Sequence, residues 1–338
     1  MLVYDPYYDV KGVSNSSLRY INPIEGGSPA LFKQHWDGDG PVLKTSSLEF
    51  GNLLHLAVLE PHLLKYVVDE SNTPDKVREI LKDMHKTILE SNNLAAVVMG
   101  EEEPIGPLED YLYAIIEACD RNKYGAKTWK EETKFNKIVS TGSAYWDLLR
   151  TTKEFIITQN QKDLMVSCMQ SIKKSKKAAQ LFFAEDTKDI VYHNELEVHW
   201  TDDKYSFPLK AKIDRIAINK AKGTFRIIDL KTTSKTLGQF KESFEKYNYA
   251  RQMAFYTKAA EQWLKQNVSE APYTALSPII CAVETKGSNR PGIFILSDKT
   301  WNEGRTQAEA LLNRLDHHFT NNTWNDDMET DLNEDYYI

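Results

Sequence analysis

The sequence contains few cysteines and no long apolar run, and each absence excludes a class of protein. Cys119, Cys168 and Cys281 are widely spaced and odd in number, so they offer neither a disulfide framework nor a zinc or iron–sulfur ligand set. No apolar stretch approaches the length of a membrane span, and the opening MLVYDPYYDV lacks the basic start and apolar run of a signal peptide. We therefore expect a protein of the reducing cytoplasm with no membrane partner.

An excess of positive charge is absent as well. The formal net charge is −7, whereas many nucleic-acid binders are basic and gain phosphate affinity by releasing counterions. The charge is uneven, however. The C-terminal tail and the GEEEP stretch are acidic, while KKSKKAAQ and the region from Lys204 to Lys246 are basic. The total charge therefore leaves nucleic-acid binding open.

The composition is that of a soluble globular protein of one large or two modest domains, with 338 residues of which 41% are hydrophobic and 27% charged. Up to about residue 185 the apolar residues recur at helical spacing, which predicts a mainly helical N-terminal part. The predicted helices begin near Ser16 and continue with the segments SSLEFGNLLHLAVLEP, PDKVREILKDMHKTILESNN, PLEDYLYAIIEAC and TQNQKDLMVSCMQSIKKSKKAAQLFF.

Near Asp186 the period of the apolar pattern changes from 3.6 to 2, which indicates strands. Three strands, a long helix over FEKYNYARQMAFYTKAAEQWLKQN, two further strands and a closing helix follow in that order. We expect residues 1–185 to be integrated with a core of residues 186–318, and residues 319–338 to form an acidic, flexible tail. The order of the elements predicts an α/β (α+β-like) fold.

Three charged residues interrupt the hairpin predicted over residues 210–233. Ile218 and Phe225 flank its turn and set the register, because residues that face each other in an antiparallel pair share a constant sum of sequence numbers. By this count Asp214 faces Asp229, and Lys231 is the next residue on the same face. The charges therefore lie together at the end of an otherwise apolar stripe.

Two carboxylates directly opposite each other are destabilising unless something compensates. They could share one proton, or they could bind a divalent cation, for which paired hard oxygens are suitable ligands; the cation is the preferred interpretation. An isolated Asp-x-Lys is often only a solvated strand edge. Asp214 in register on an apolar face makes that simple explanation weaker here.

Asp214, the Asp229-Leu230-Lys231 triplet and the hairpin between them resemble the signature of the PD-(D/E)XK nuclease superfamily. Ile213 stands where the name-giving proline would be. The resemblance implies a restriction-endonuclease-like core with a central mixed β-sheet flanked by helices, preceded by a mainly helical N-terminal region.

Two further motifs are similar to the RecB-like branch of this superfamily. Gln252 and Tyr256, four residues apart on the predicted long helix, match its Q-x-x-x-Y element, and Gly51 and His55 match its G-x-x-x-H element. Each motif alone has a simpler explanation, since a Tyr or a His on an amphipathic helix is often a packing residue. Both occur in the order that the branch requires.

The wider pattern resembles the nuclease domain of exonuclease VIII (RecE) and its phage-encoded relatives. It runs from about Gly12 to Leu315, and residues 93–145 match nothing in it. The four-cysteine iron–sulfur cluster of some RecB-like relatives is missing. The resemblance implies a Mg²⁺-dependent exonuclease, with Mn²⁺ able to substitute and two ions bound, that degrades linear double-stranded DNA from 5′ to 3′.

The resemblance also implies roles for individual residues. Asp214, Asp229 and the carbonyl of Leu230 would hold one metal, and His55 would complete a second site. Lys231 would position the attacking water or stabilise the transition state, while Gln252 and Tyr256 would orient substrate or catalytic groups. The expected phosphate contacts are Lys210, Lys212, Lys235 and Arg251.

A pair of glutamates and a run of lysines are further candidates for metal or phosphate binding, but the sequence pattern favours a simpler explanation for each. Glu195 and Glu197 are tempting as further ligands, but strand alternation places both on the polar face, so we interpret them as solvated. The KKSKK run is a further candidate phosphate contact, although such a run is often only a solvated helix face.

The partners implied by the resemblance are DNA, a single-strand annealing protein and further copies of the chain in a ring, in a bacterial host cell or encoded by a phage. Two rival hypotheses remain. One is a RecB-like nuclease that prefers single strands or acts as an endonuclease. The other is a non-catalytic nucleic-acid or protein-binding module, against which the costly cluster of Asp214, Asp229 and Lys231 argues.

Overall fold

We describe the fold from a computed structural model. It describes residue 7 and residues 9–38, 46–99, 104–152, 154–268 and 272–325. Within these ranges the chain forms ten α-helices, seven strands and several short 3-10 turns. The helices are α1 (Pro29–Asp37), α2 (Ser46–Leu59), α3 (Asp75–Met99), α4 (Leu112–Arg121), α5 (Glu131–Thr151), α6 (Gln159–Lys174), α7 (Lys176–Phe182), α8 (Phe240–Lys246), α9 (Tyr249–Asn267) and α10 (Asp298–Asn321). The strands are β1 (Tyr66–Asp69), β2 (Phe155–Thr158), β3 (Ile190–Trp200), β4 (Leu209–Asn219), β5 (Thr224–Thr233), β6 (Thr274–Glu284) and β7 (Pro291–Ile295).

The described chain divides into two compact units. One contains Lys65–Asp163, and the other contains the described residues before Lys65 together with those from Leu164 onward. The first unit holds the parallel pair β1–β2 and a core of helices α3, α4 and α5 around Trp146. In the second unit the N-terminal segment packs on the sheet, where Val13 lies beside Leu209.

The second unit is built on one five-stranded mixed sheet with the order β3-β4-β5-β6-β7. The pair β5–β6 is parallel and the other neighbouring strands are antiparallel. Helix α9 connects β5 to β6 and contacts β3, β4, β5 and β6, which is the crossover that a parallel pair requires. Its apolar residues join the sheet and α10 in one core. The predicted α/β arrangement of a mixed sheet flanked by helices is confirmed.

The hairpin β4–β5 has the predicted register: Ile218 pairs with Phe225. Its turn includes Gly223, whose φ of +58° lies in the left-handed region that glycine adopts without strain. The alternating apolar residues on both strands specify this register because a shift by one residue would move all of them to the other face.

Several local predictions differ from the structure. The helix expected near Ser16 is a 3-10 turn, Ser17–Tyr20, followed closely by Pro23. The helix predicted over residues 158–183 is two helices, because Ser175 ends one and caps the next through a bond from the N–H of Ala178.

The C-terminal part also differs from the prediction. Helix α10 continues to Asn321, and Trp324 stacks on Phe32 with ring centroids 6.1 Å apart. Residues 326–338 of the predicted acidic tail lie outside the described residues. None of the helices that the structure describes is both long and apolar enough to span a membrane.

Candidate active site

The hairpin stops pairing where its charged residues begin. The last backbone pair of β4 and β5 is Arg215 with Ile228, so Asp214 and Asp229 follow directly after it on their strands. The N–H of Leu230 then donates a 2.8 Å hydrogen bond to Oδ2 of Asp214. The carboxylate of Asp214 thus accepts a hydrogen bond from a backbone N–H that would otherwise have bonded to the backbone of β4.

Asp229 and Lys231 form a buried ion pair on the same strand. Asp229 has no exposed surface, and Nζ of Lys231 lies 2.7 Å from both of its carboxylate oxygens. Only Oδ1 accepts a well-directed hydrogen bond; no donor among the described residues is aligned with Oδ2. On the other side, Nζ lies 5.4 Å from the ring centroid of Tyr249. The pair is held at the predicted spacing of two residues, which places both on one face.

Burial dominates the electrostatics of this pair. It raises the pKa of Asp229 to about 7, despite the opposing effect of the Lys231 charge. Burial alone would lower the pKa of Lys231, but the carboxylates of Asp229 and Asp214 raise it above the ordinary value. Lys231 is therefore a cation at neutral pH, and the buried Asp229 takes up a proton more readily than an ordinary aspartate. A cation that binds Asp229 must compete with this proton.

His55 reaches the same place from helix α2. Its Nε2 donates to the carbonyl oxygen of Leu230 at 2.7 Å, in the tautomer that this contact favours. Nδ1 then faces two carboxylates, 3.7 Å from Asp214 and 3.8 Å from Glu195. Burial lowers the pKa of His55, but the two carboxylates outweigh it and the net pKa is raised. Either a proton or a metal cation would relieve the repulsion between the Nδ1 lone pair and the carboxylates.

Glu195 belongs to the site, so its interpretation as a solvated residue is wrong. It lies opposite Asp214 in the register of β3 and β4, but the two make no backbone pair. Its φ is +46°, a left-handed conformation that is rare for glutamate and that interrupts the regular alternation of the strand. Its side chain is 15% exposed, whereas that of Glu197 is 40% exposed. Glu197 fits the solvated interpretation.

The donor atoms suit a hard divalent cation. His55, Glu195 and Asp214 each offer a ligand atom, and these atoms all lie within 4.8 Å of one another. The carboxylate of Asp229 and the carbonyl of Leu230 lie beside them, and Oδ2 of Asp229 has no directed donor among the described residues. Carboxylate and carbonyl oxygens with one imidazole fit Mg²⁺ or Mn²⁺, and the set contains no thiolate.

Gln252 and Tyr256 are on one face of α9, as their spacing predicts. Nε2 of Gln252 donates to the hydroxyl oxygen of Tyr256 at 2.9 Å. Burial raises the pKa of Tyr256, opposed by the charge of Lys231, so the phenol stays neutral beside the cluster. The sequence did not single out Tyr249, one turn earlier on the same helix, whose ring contacts Lys231. Its spacing of three residues from Gln252 and seven from Tyr256 places it on the same face of the helix and would have suggested it.

Two of the four expected phosphate contacts are buried, which corrects the prediction for them. Nζ of Lys210 donates to the backbone carbonyls of Tyr7 and Val10. Arg251 is 2% exposed and donates to Asn15 and Glu25. The sequence could not reveal these partners because they come from segments some 200 residues away.

The other two expected phosphate contacts are more accessible. Lys212 pairs with Glu197 at 3.4 Å and lies 3.8 Å from Glu195. Lys235 pairs with Glu242 at a more exposed position. Both remain predicted phosphate contacts.

A family model described as a PDDEXK-like domain of unknown function (DUF3799) matches residues 122–330. That range contains the whole hairpin and helix α9, and it excludes His55. The match confirms the PD-(D/E)XK-like fold predicted from the hairpin motif and supports a nuclease.

None of the curated proteins matches this sequence. Among solved structures, the crystal structure of a presumed exonuclease from Eubacterium rectale is similar, with 12% sequence identity and a TM-score of 0.47. The similarity covers 100% of this chain and 93% of that chain. At this identity and TM-score it carries no functional argument.

Proposed function

Because this chain belongs to the family of PDDEXK-like domains, we propose that it is a metal-dependent nuclease that hydrolyses phosphodiester bonds of DNA. One observation carries the proposal: Asp214, Asp229, Lys231 and His55 meet where the hairpin ladder ends, buried and mostly paired with one another. Burying such a charged cluster lowers the stability of the fold, and catalysis is the usual reason that a protein retains one.

Asp214, Asp229 and the carbonyl of Leu230 would hold one Mg²⁺ or Mn²⁺, and His55 with Glu195 would complete a second position that shares Asp214. When bound, a divalent cation acts as a Lewis acid that makes water a stronger acid and neutralises charge on the phosphate. Protein ligands around such an ion need fixed orientations, and the bond from Leu230 to Asp214 supplies one.

Lys231 would act as a fixed positive charge rather than as a base. Its raised pKa keeps it protonated, so it can donate hydrogen bonds to the phosphate oxygens as negative charge grows on them. Tyr256 and Gln252 would orient it from helix α9, since the neutral phenol of Tyr256 lies close enough to feel its charge.

The finer assignment is an exonuclease that degrades linear double-stranded DNA from 5′ to 3′. It would serve phage-type recombination with a single-strand annealing protein, as a ring of identical chains in the bacterial cytoplasm. Support comes from the Q-x-x-x-Y and G-x-x-x-H motifs and from the extended resemblance of the sequence to RecE-type domains. A nuclease that prefers single strands, or an endonuclease, would use the same residues. A non-catalytic module is disfavoured by the intact buried cluster.

The test uses purified chain with Mg²⁺ or Mn²⁺ and three DNA substrates: linear duplex labelled at the 5′ end, the same duplex labelled at the 3′ end, and a circle. We expect cleavage of the linear duplexes alone, release of the 5′ label first, and complete inhibition by EDTA. Asp229→Ala should abolish cleavage with its circular dichroism unchanged, while Asp203→Ala, an exposed aspartate in a turn, should leave it intact.

Each result decides one part of the proposal. Cleavage of the circle would replace the exonuclease by an endonuclease, and early release of the 3′ label would reverse the polarity. Wild-type chain inactive on every substrate with both metals, or active Asp229→Ala, would overturn the nuclease.

A further inference from the structure

A line of aromatic and cationic side chains runs from the catalytic cluster to the protein surface. Lys231 Nζ lies 5.4 Å from the Tyr249 ring centroid, the Tyr249 and Tyr247 centroids are 5.8 Å apart, and Lys246 Nζ lies 5.4 Å from the Tyr247 centroid. Tyr249 is half-buried, whereas Tyr247 is 53% exposed and Lys246 is exposed. One end of the line is therefore fixed in the site and the other end faces solvent.

The backbone places these two tyrosines side by side in a way that a continuous helix would not. Residues two apart on an α-helix point about 200° apart. Here the chain leaves α8 and enters α9 through Asn248, whose φ is +51°. Asn248 is one of the few residues that tolerate this left-handed conformation. The break brings the rings of Tyr247 and Tyr249 to an interplanar angle of 33°.

The exposed face of Tyr247 makes no contribution to the apolar core that the structure describes. Tyr249, in contrast, packs against Phe240 and Phe244 and belongs to the residues around that core. The left-handed residue between the two helices thus holds the exposed ring of Tyr247 against Tyr249, and Tyr249 in turn contacts the catalytic cation Lys231. An aromatic ring with a neighbouring lysine is the combination that binds nucleobases and phosphates of single strands.

On the basis of the proposed nuclease function, we propose that Tyr247 stacks on a nucleobase of the DNA substrate and so positions the strand beside the catalytic cluster, with Lys246 contacting a phosphate. The bases inside a duplex have both faces covered by their neighbours. Tyr247 can therefore stack only on a terminal base or on an unpaired base. The residue would select DNA ends and frayed strands, and it is a positioning residue rather than a catalytic one.

The experiment uses full-length chain carrying Asp229→Ala, so that DNA stays uncut, and an oligonucleotide with 2-aminopurine at its end. Stacking on an aromatic ring quenches this fluorescence. We expect Tyr247→Ala to remove the quenching and to weaken binding about five- to tenfold, because one base–aromatic stack is lost at an exposed position. Tyr247→Trp should preserve both. In the active chain, Tyr247→Ala should raise KM by a similar factor and leave kcat nearly unchanged.

Tyr113 provides the matched control. It is 81% exposed, lies in the unit of residues 65–163, and makes no ring contact that the structure records among the described residues. Tyr113→Ala should match its parent in quenching, affinity and KM.

The outcomes separate this inference from the nuclease itself. Equal quenching and affinity for Tyr247→Ala and its parent would overturn the stacking role, as would a parent that does not quench the terminal probe. The quenching could depend on Tyr247 while the chain with Asp229 intact cleaves no DNA. That result would support the stacking role and overturn the proposed nuclease activity.

Discussion

Glu195 and Asp214 face each other across neighbouring strands at the one position between Ile190 and Trp200 where β3 and β4 make no backbone pair. The skipped pair and the left-handed φ of Glu195 occur at the same place, and both carboxylates lie within 4 Å of Nδ1 of His55. A regular strand would have kept its ladder and its alternation. At this distortion the two strands lose one backbone pair, and the ligand atoms of Glu195, Asp214 and His55 come together.

We predict that Glu195→Gln weakens metal binding. The substitution preserves the size of the side chain and removes its negative charge, so the Mg²⁺ concentration for half-maximal cleavage should rise about 10- to 100-fold. Glu197→Gln, two residues away and far more exposed, is the matched control and should leave the Mg²⁺ titration unchanged. Equal titration curves for Glu195→Gln and wild type would remove Glu195 from the metal site.

The backbone at Glu195 makes a separate prediction about stability. A non-glycine residue in the left-handed region costs about 1 kcal/mol, and glycine avoids this cost. Glu195→Gly should therefore be more stable than Glu195→Ala by about 1 kcal/mol in urea unfolding without metal, although both lack the carboxylate. Both variants should lose activity. A less stable glycine variant would show that Glu195 is not strained in the folded chain.

The pH dependence of metal-free stability follows from Asp229 and His55. Burial raises the pKa of Asp229 to about 7, and the carboxylates around His55 raise its pKa as well, so these two groups hold more protons in the folded chain than in the unfolded chain. Their contribution to stability is present at low pH and is lost as pH rises through neutrality. Burial lowers the pKa of His35, His85 and His193, and these groups act in the opposite direction, so the Asp229 contribution is measured as a difference. Between pH 6 and pH 8 the wild-type urea midpoint in EDTA should fall relative to that of Asp229→Asn, and Mg²⁺ should stabilise the wild-type chain more at pH 8. A wild-type midpoint that rises relative to Asp229→Asn over this interval would contradict the assignment.

Arg251 should contribute to stability rather than to DNA binding. Its guanidinium donates to Glu25 at 2.7 Å in a buried position, and a buried charge that loses its partner is costly. Arg251→Met should lower the free energy of unfolding by about 3 kcal/mol. Lys235→Met, which breaks a more exposed pair with Glu242, should change it by less than about 1 kcal/mol. Comparable losses for both would show that Arg251 is not held by a buried pair.

The amino-acid pattern alone determined the hairpin and most of its charged cluster. Alternation along β4 and β5 specifies which residues share a face, and a turn between Ile218 and Phe225 then sets which residues meet. The positions of Asp214, Asp229 and Lys231 followed by counting, because the periodicity of a strand is a local property. The Gln252–Tyr256 contact followed from helical spacing for the same reason.

The tertiary structure decided the features of the site that do not follow from the spacing of residues along the sequence. Glu195 joined the site through a backbone distortion that interrupts the alternation on which its solvated interpretation depended. Lys210 and Arg251 have structural roles because they donate hydrogen bonds to partners from the N-terminal segment, which are 200 or more residues away in the sequence. Tyr247 faces solvent beside Tyr249 because Asn248 breaks a helix that the apolar pattern predicts to be continuous. Periodicity reports which face of an element is apolar, whereas the distant contacts and unusual dihedrals that complete the site arise only once the elements pack.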